Sequence, residues 1–145
     1  MPYHVRVVNM IPKSRSGEAN QDSEPSIAVD PTNPDVIVGT AFTPNPSGGS
    51  NAPFYISTDR GDTWALNAAL PSGNAFTGTG DVTMTFDGSG QDLYAGQLIG
   101  SGFLDLSVDR TPSPTSGSMA VLEARGNIDQ PFAKATKSIG AKSQP

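Results

Sequence analysis

The segment EPSIAVDPTNPDVIVGTAF recurs later in the chain as DVTMTFDGSGQDLYAGQLI. At one constant shift Asp30 falls on Asp87, Asp35 on Asp92 and Gly39 on Gly96, with apolar positions matching between them. Each copy has an apolar or alternating run ending at Asp, a short stretch of turn formers, and a second apolar run. That is the pattern of a β-hairpin. A chain that repeats its hairpin needs a fold that repeats it too, which removes most architectures from consideration.

Two more runs follow each hairpin. PFYISTD leads into TWALNAAL, and FLDLSVD leads through a Pro/Ser-rich loop into MAVLEAR, so each copy supplies four short strands in sequence. The two S-x-D ends, Ser57/Asp59 and Ser107/Asp109, lie closer together than the hairpins do, because PNPSGGSNAP lengthens the first copy. Insertions therefore belong between second and third strands. DQPFAKA resembles a new first strand, comparable to SEPSIAV, and TKSIGAKSQP follows it. Four-stranded repeats of about 40 to 50 residues suggest propeller blades, of which about four to eight close a ring. The expected fold is all-β, with four-stranded antiparallel β-propeller blades, about two and a partial third, forming an incomplete propeller. The expected organisation is an N-terminal strand or leader over 1–19, one blade over 20–75, a second over 76–128, and the start of a third with a tail over 129–145. YHVRVVNMI is expected to add an extra strand, of the kind that closes the ring in a longer parent. SMAVLEARG is the one stretch compatible with a helix, and the repeat assigns it to a strand.

Composition agrees with short strands and many turns. Apolar residues are 35% of the chain, while Gly (16) and Pro (13) are frequent. A net charge of -5 with no Lys/Arg stripe argues against nucleic acid and against an anionic membrane surface as partners. With no cysteine, neither a disulfide framework nor a thiolate metal site can form, and the single histidine, His4, cannot build a histidine cluster. No metal and no cofactor are expected. No run approaches the roughly 18 to 20 apolar residues of a membrane span, and MPYHVRVVNM lacks the regions of a secretory leader. The chain is expected to be soluble; a leader removed by processing leaves no trace, so an extracellular location stays open.

STDRGDTW, Ser57 to Trp64, packs turn formers against the only tryptophan. A carboxylate at such a turn can accept backbone N–H bonds, a glycine permits positive φ, and the indole can cover the hairpin's apolar side. The pattern S-x-D-x-G-x-T-W, carried by Ser57, Asp59, Gly61, Thr63 and Trp64, resembles the Asp-box, or BNR repeat, of sialidases and related β-propellers. In that family the Asp-box is a folding element on the face opposite the active site, so the resemblance implies that Asp59 is structural. SVDRTPSPTSGSM keeps only Ser107 and Asp109 and is expected to be a degenerate box.

A functional site is then expected at the other end, where connections into first strands and those joining second to third strands converge. ANQDSE, FTGTGD, GNIDQ, TPNPSGGSNAP and GSG carry Asp22, Glu24, Asp81 and Asp129, the amides Asn20, Gln21, Asn127 and Gln130, and Phe42, Phe76 and Phe132 nearby. Carboxylates and amides bond sugar hydroxyls, and an aromatic ring offers a flat apolar surface to a pyranose. Gln21, Asp22, Glu24, Asp81, Asp129 and Gln130 are the candidate ligand-binding residues, and the four carboxylates among them are the candidate catalytic groups. The competing reading is that all are solvated loop residues capping hairpins.

The resemblance also implies what a sialidase needs: three arginines for the substrate carboxylate, an aspartate acid/base, and a tyrosine nucleophile activated by a glutamate. In NMIP, Met10 stands where the family's Arg-Ile-Pro motif has its arginine. Arg60 and Arg110 follow the S-x-D turns, Arg125 lies in an outer strand, and Arg6 and Arg15 lie near the N-terminus. Tyr55 and Tyr94 fall inside strands, and Tyr3 in the leading segment, so the chain by itself is not expected to be a sialidase. DPTNPD and DGSGQD lack the carboxylate spacing of a calcium loop, and GTGD and GSG lack the lysine and helix of a phosphate loop. Two functions remain. One is a glycan-binding or interaction module, with carbohydrate as ligand and either a homo-oligomer or further blades completing the propeller. The other is the N-terminal part of an exo-acting glycoside hydrolase whose catalytic residues lie in other blades.

Overall fold

The computed structural model describes residues 5–10, 23–42, 51–71, 79–99, 105–115 and 119–126. Among these residues the chain is all-β, with no helix. Strands β1 (Ser23–Val29), β2 (Ile37–Phe42), β3 (Pro53–Ser57) and β4 (Ala65–Ala69) form one four-stranded sheet in chain order. β5 (Thr79–Phe86), β6 (Leu93–Ile99), β7 (Asp105–Thr111) and β8 (Ala120–Gly126) form the second, and every pairing is antiparallel. AVLEAR of this stretch accordingly lies in a strand, β8, as the repeat requires. The connection between second and third strands is the longer one in the first sheet, spanning 43–52 against 100–104.

Aspartates shape both hairpin tips. Asp30 N donates to Val36 O at 3.0 Å, and Asp30 Oδ1 accepts from Thr32 N (2.8 Å), Thr32 Oγ1 (2.9 Å) and Asn33 N (3.2 Å). At the second tip Asp87 N donates to Asp92 O at 2.9 Å, and Asp87 Oδ1 accepts from Asp92 N at 3.1 Å. Gly90 adopts φ 71° there, a conformation that strains any residue with a Cβ. A short polar side chain replaces the strand ladder where the backbone reverses.

The second tip is one residue shorter, and this changes which face is buried. Bonded pairs alternate along an antiparallel ladder. Counting from Asp30/Val36, Val38 is bonded to Ala28 and turns its N–H and C=O toward β1. Counting from Asp87/Asp92, Tyr94 is bonded to Thr85, so Ala95 turns its groups the other way, toward Asp109 on β7. In a strand of given direction, L-chirality ties the direction of the N–H to the face taken by the side chain. Val38 and Ala95 therefore lie on opposite faces of equivalent sheets, although the sequence shift places them together. Both are 0% exposed and share one core. The sheets consequently stack front to back, the front of the first on the back of the second.

That core joins Val38, Phe54, Ile56 and Leu70 to Met84, Phe86, Leu93 and Ala95. β1 and β2 pack on β5, and Met84 N donates to Ser26 Oγ at 2.9 Å across the sheets. Burying one such large side chain is worth ~1.5–3 kcal/mol. An exposed ion pair is worth about 0–1 kcal/mol, so the apolar interface holds the stack.

The expected extra N-terminal strand is absent from residues 5–10. Val5 and Val7 are 90% and 93% exposed, so no burial compensates the entropy of fixing an additional strand. Side chains hold this segment instead: Arg6 pairs with Asp62, and Met10 occupies the space that a Cβ at Gly39 would need, beside Trp64.

Candidate functional site

The turn after β3 is closed by four side chains and the backbone groups between them. Ser57 Oγ donates to Asp59 Oδ1 at 2.8 Å and accepts from Gly61 N at 2.8 Å and Asp59 N at 3.3 Å. Asp59 Oδ1 accepts from Thr63 N at 2.8 Å, and Asp59 Oδ2 accepts from Thr63 Oγ1 at 2.6 Å. Trp64 Nε1 donates to Gly61 O at 3.1 Å, which lays the indole near Gly39 and Gly61. Arg60 and Gly61 both take positive φ, 64° and 86°. The Thr63 hydroxyl, then the Thr63 N–H and the Ser57 hydroxyl, hold the Asp59 carboxyl down at about 2. Arg60 N donates to Asp35 O at 3.1 Å and its guanidinium pairs with Asp35, joining this turn to the first hairpin tip.

Ser107 and Asp109 do not build a second turn of this kind. Both lie inside β7 at 0% exposure, Asp109 opposite Ala95 and Val121. The position matching Ser57 is Thr111, which also ends its strand: Ser113 N donates to Thr111 Oγ1 at 3.2 Å, as Asp59 N does to Ser57 Oγ. Equivalent turns thus contain T-P-S where the first has S-T-D, and the two S-x-D strings coincide in sequence only.

Asp109 instead belongs to a buried polar cluster that sequence reasoning missed. Ser107 Oγ donates to Asp109 Oδ1 at 2.9 Å, while Gln97 Nε2 donates to Asp109 Oδ2 and to Pro71 O. Gln97 Oε1 has no partner among the described residues. Burial pushes the Asp109 carboxyl up to about 6 despite these hydrogen bonds. The alternation along β7 could have found it, since Ser107, Asp109 and Thr111 share the face of the apolar core.

A cleft of about 570 Å3 lies between the hairpin tips, lined by Asp30, Gly90, Asp92, Arg110, Pro112 and Pro114 among others. Arg110 grips Asp92 bidentately there, Nε to Oδ1 and Nη2 to Oδ2, both at 2.9 Å. Asp92 raises the Arg110 pKa through this hydrogen-bonded contact. Asp30 is occupied by its own turn. The strongest charges in the cleft are therefore engaged already.

Of the candidate ligand residues, Glu24 and Asp81 lie among the described residues, at the other end of the strands. Gln21, Asp22, Asp129 and Gln130 fall outside the described residues, as do Asn20, Asn127, Phe76 and Phe132. Glu24 lies in β1 and Asp81, half-buried, in β5. Each sits where its strand gains a residue on its partner: the pairing passes from Ser23 opposite Phe42 to Ser26 opposite Thr40, and from Thr79 opposite Ile99 to Val82 opposite Gln97. Such bulges re-aim side chains and recur beside binding sites. Because β1 packs on β5 through Ser26 and Met84, both bulges belong to one end of the stack.

Among the described residues, the tyrosines lie in strands and the two turn arginines are ion-paired: Tyr55 is buried in β3, Tyr94 is half-buried in β6, and Arg60 and Arg110 pair at the turn end with Asp35 and Asp92. Among the described residues no group of three or more His, Cys, Asp or Glu is placed to hold a metal ion, and no helix is long and apolar enough to cross a membrane. Comparisons with protein-family models, curated proteins and solved structures return no match.

Proposed function

We propose that this chain forms blades of a sialidase-like Asp-box propeller and serves as a glycan-binding or interaction module without catalysis of its own. The observation that carries this reading is the front-to-back stacking of two four-stranded meanders, the arrangement that radial repetition of one unit produces. The hydrogen-bonded turn from Ser57 to Trp64 supports it further, because every position of the S-x-D-x-G-x-T-W pattern has a bond to make. Carbohydrate is favoured as ligand by the matched bulges, which bring Glu24 and Asp81 of neighbouring inner strands to one end.

The test is glycan-array screening of the intact chain followed by calorimetry on any hit. Binding that Asp81→Asn weakens at least tenfold, with an unchanged circular dichroism spectrum, supports the module. Binding indifferent to both Asp81→Asn and Glu24→Gln overturns the assigned end. Turnover of aryl glycosides overturns the non-catalytic reading. A second reading keeps the fold and makes the chain the N-terminal part of an exo-acting glycoside hydrolase. It is favoured by the engagement of Tyr55, Tyr94, Arg60 and Arg110 in strands and ion pairs, which leaves the chemistry to other blades.

A further inference from the structure

Residues 5–10 belong to neither sheet, yet one side of the segment is tied down. Val5, Val7 and Asn9 are exposed, while Val8 and Met10 are partly buried. Arg6 pairs with Asp62 in the turn after β3. Met10 reaches Gly39 in β2: its Cε lies 2.5 Å and its Sδ 3.6 Å from where a Cβ on Gly39 would stand, and Trp64 Cζ3 lies 3.6 Å from the same point. A glycine is what admits the thioether, since any Cβ there would displace it. The segment is a strap, held by one methionine in a glycine notch beside the only tryptophan and by one ion pair. That pair is exposed on both partners, so it contributes little and Met10 is the stronger tie.

We propose that Met10 is a modification site: oxidation of its thioether to the sulfoxide by a hydroperoxide releases the strap and uncovers Trp64. Access singles it out, because Met84 and Met119 sit in the inter-sheet core at 5% and 6% exposure while Met10 is partly exposed. The sulfur attacks one peroxide oxygen, so an S–O bond forms as the O–O bond breaks. Sulfur is oxidised by two electrons, and the proton of the transferred hydroxyl passes to the departing hydroxide to give water. The product is polar and bulkier at sulfur, and its oxygen needs hydrogen-bond donors. The notch suits an apolar chain end instead: Gly39 is buried, and the indole N–H beside it is already given to Gly61 O. The oxidised side chain therefore gains by turning out to solvent, which leaves the strap to Val8 and the exposed Arg6–Asp62 pair. Reduction restores the thioether, so the release is reversible. The device lies at the turn end and does not depend on glycan binding, so either can fail without the other.

The experiment treats the intact chain with hydrogen peroxide and follows tryptophan emission and peptide masses in parallel. Trypsin, cutting after Arg6, Lys13, Arg60, Arg110 and Arg125, places each of the four methionines in a separate peptide, so each oxidation rate is read by itself. Met10 should oxidise about tenfold or more faster than Met84 and Met119. The emission of Trp64 should move to the red in step with Met10 sulfoxide, and a methionine sulfoxide reductase should return it. Met10→Leu, which has no sulfur, should hold its emission under the same peroxide. Met10→Gln, a polar mimic of the sulfoxide, should show the red-shifted emission without peroxide and keep the circular dichroism spectrum of the sheets. Oxidation of Met10 no faster than that of the core methionines overturns the proposal. So does complete Met10 oxidation with unmoved emission, or an equal peroxide shift in Met10→Leu.

Discussion

Asp109 carries a carboxyl at 0% exposure between the sheets, with its pKa pushed up to about 6 from 3.8, burial outweighing the bonds from Ser107 and Gln97. Between about pH 4 and pH 6 the unfolded chain has released this proton while the native protein still holds it. Stability must therefore fall as pH rises through that window and level off above it. Two pKa units at about 1.36 kcal/mol each give a loss on the order of 3 kcal/mol. Asp109→Asn removes the charge and keeps the contacts: the amide oxygen accepts from Gln97, and the amide nitrogen donates to a Ser107 hydroxyl turned the other way. Guanidinium unfolding of both proteins from about pH 3.5 to 8 measures the effect. The variant should match the wild type within about 1 kcal/mol near pH 4 and exceed it by up to about 3 kcal/mol at pH 7. A variant less stable than wild type at pH 7, or a difference that ignores pH, refutes the reasoning.

The Ser57–Trp64 turn gives the opposite pH dependence. Asp59 titrates at about 2 instead of 3.8, so its contribution is present above about pH 4 and fades as pH falls toward 2. Asp59→Ala should flatten that acid limb and shift the emission of Trp64, the only tryptophan, to the red; an unshifted spectrum contradicts the hydrogen-bonded turn. Phe54→Ala at the centre of the inter-sheet core should cost about 3–5 kcal/mol in the same unfolding assay. Arg6→Ala, which removes an exposed ion pair with Asp62, should cost about 0–1 kcal/mol.

Much of the architecture is written in local pattern. Turn formers at Asp30–Asp35 and Asp87–Asp92 mark the hairpins, and the strings between them carry the four strands of each sheet. The five positions from Ser57 to Trp64 announce a specific turn because each needs a different property: a hydroxyl, a carboxylate, a residue tolerant of positive φ, a second hydroxyl and an indole. Register is the part that pattern conceals. Asp35 and Gly39 align with Asp92 and Gly96 by residue type, yet across the hairpin Asp92 stands where Val36 stands. A strand has a period of two, so one residue gained or lost in a turn exchanges its faces. The same slip hides Asp109, whose resemblance to Asp59 suggests a turn while its alternation with Ser107 and Thr111 places it in the core. Glu24 and Asp81 illustrate a further limit, since a bulge adds a residue without any residue type that announces it.

Methyl-to-methyl nuclear Overhauser contacts between the sheets test the central claim, the direction of stacking, most directly. Front-to-back packing places Ala28 and Val38 in the same core as Met84 and Ala95, so cross-peaks should join those methyls, with none from Ile27 or Val29 to Met84. Cross-peaks linking Ile27 and Val29 to Met84 and Ala95, with Val38 silent, would contradict the stacking and every blade-based conclusion drawn from it.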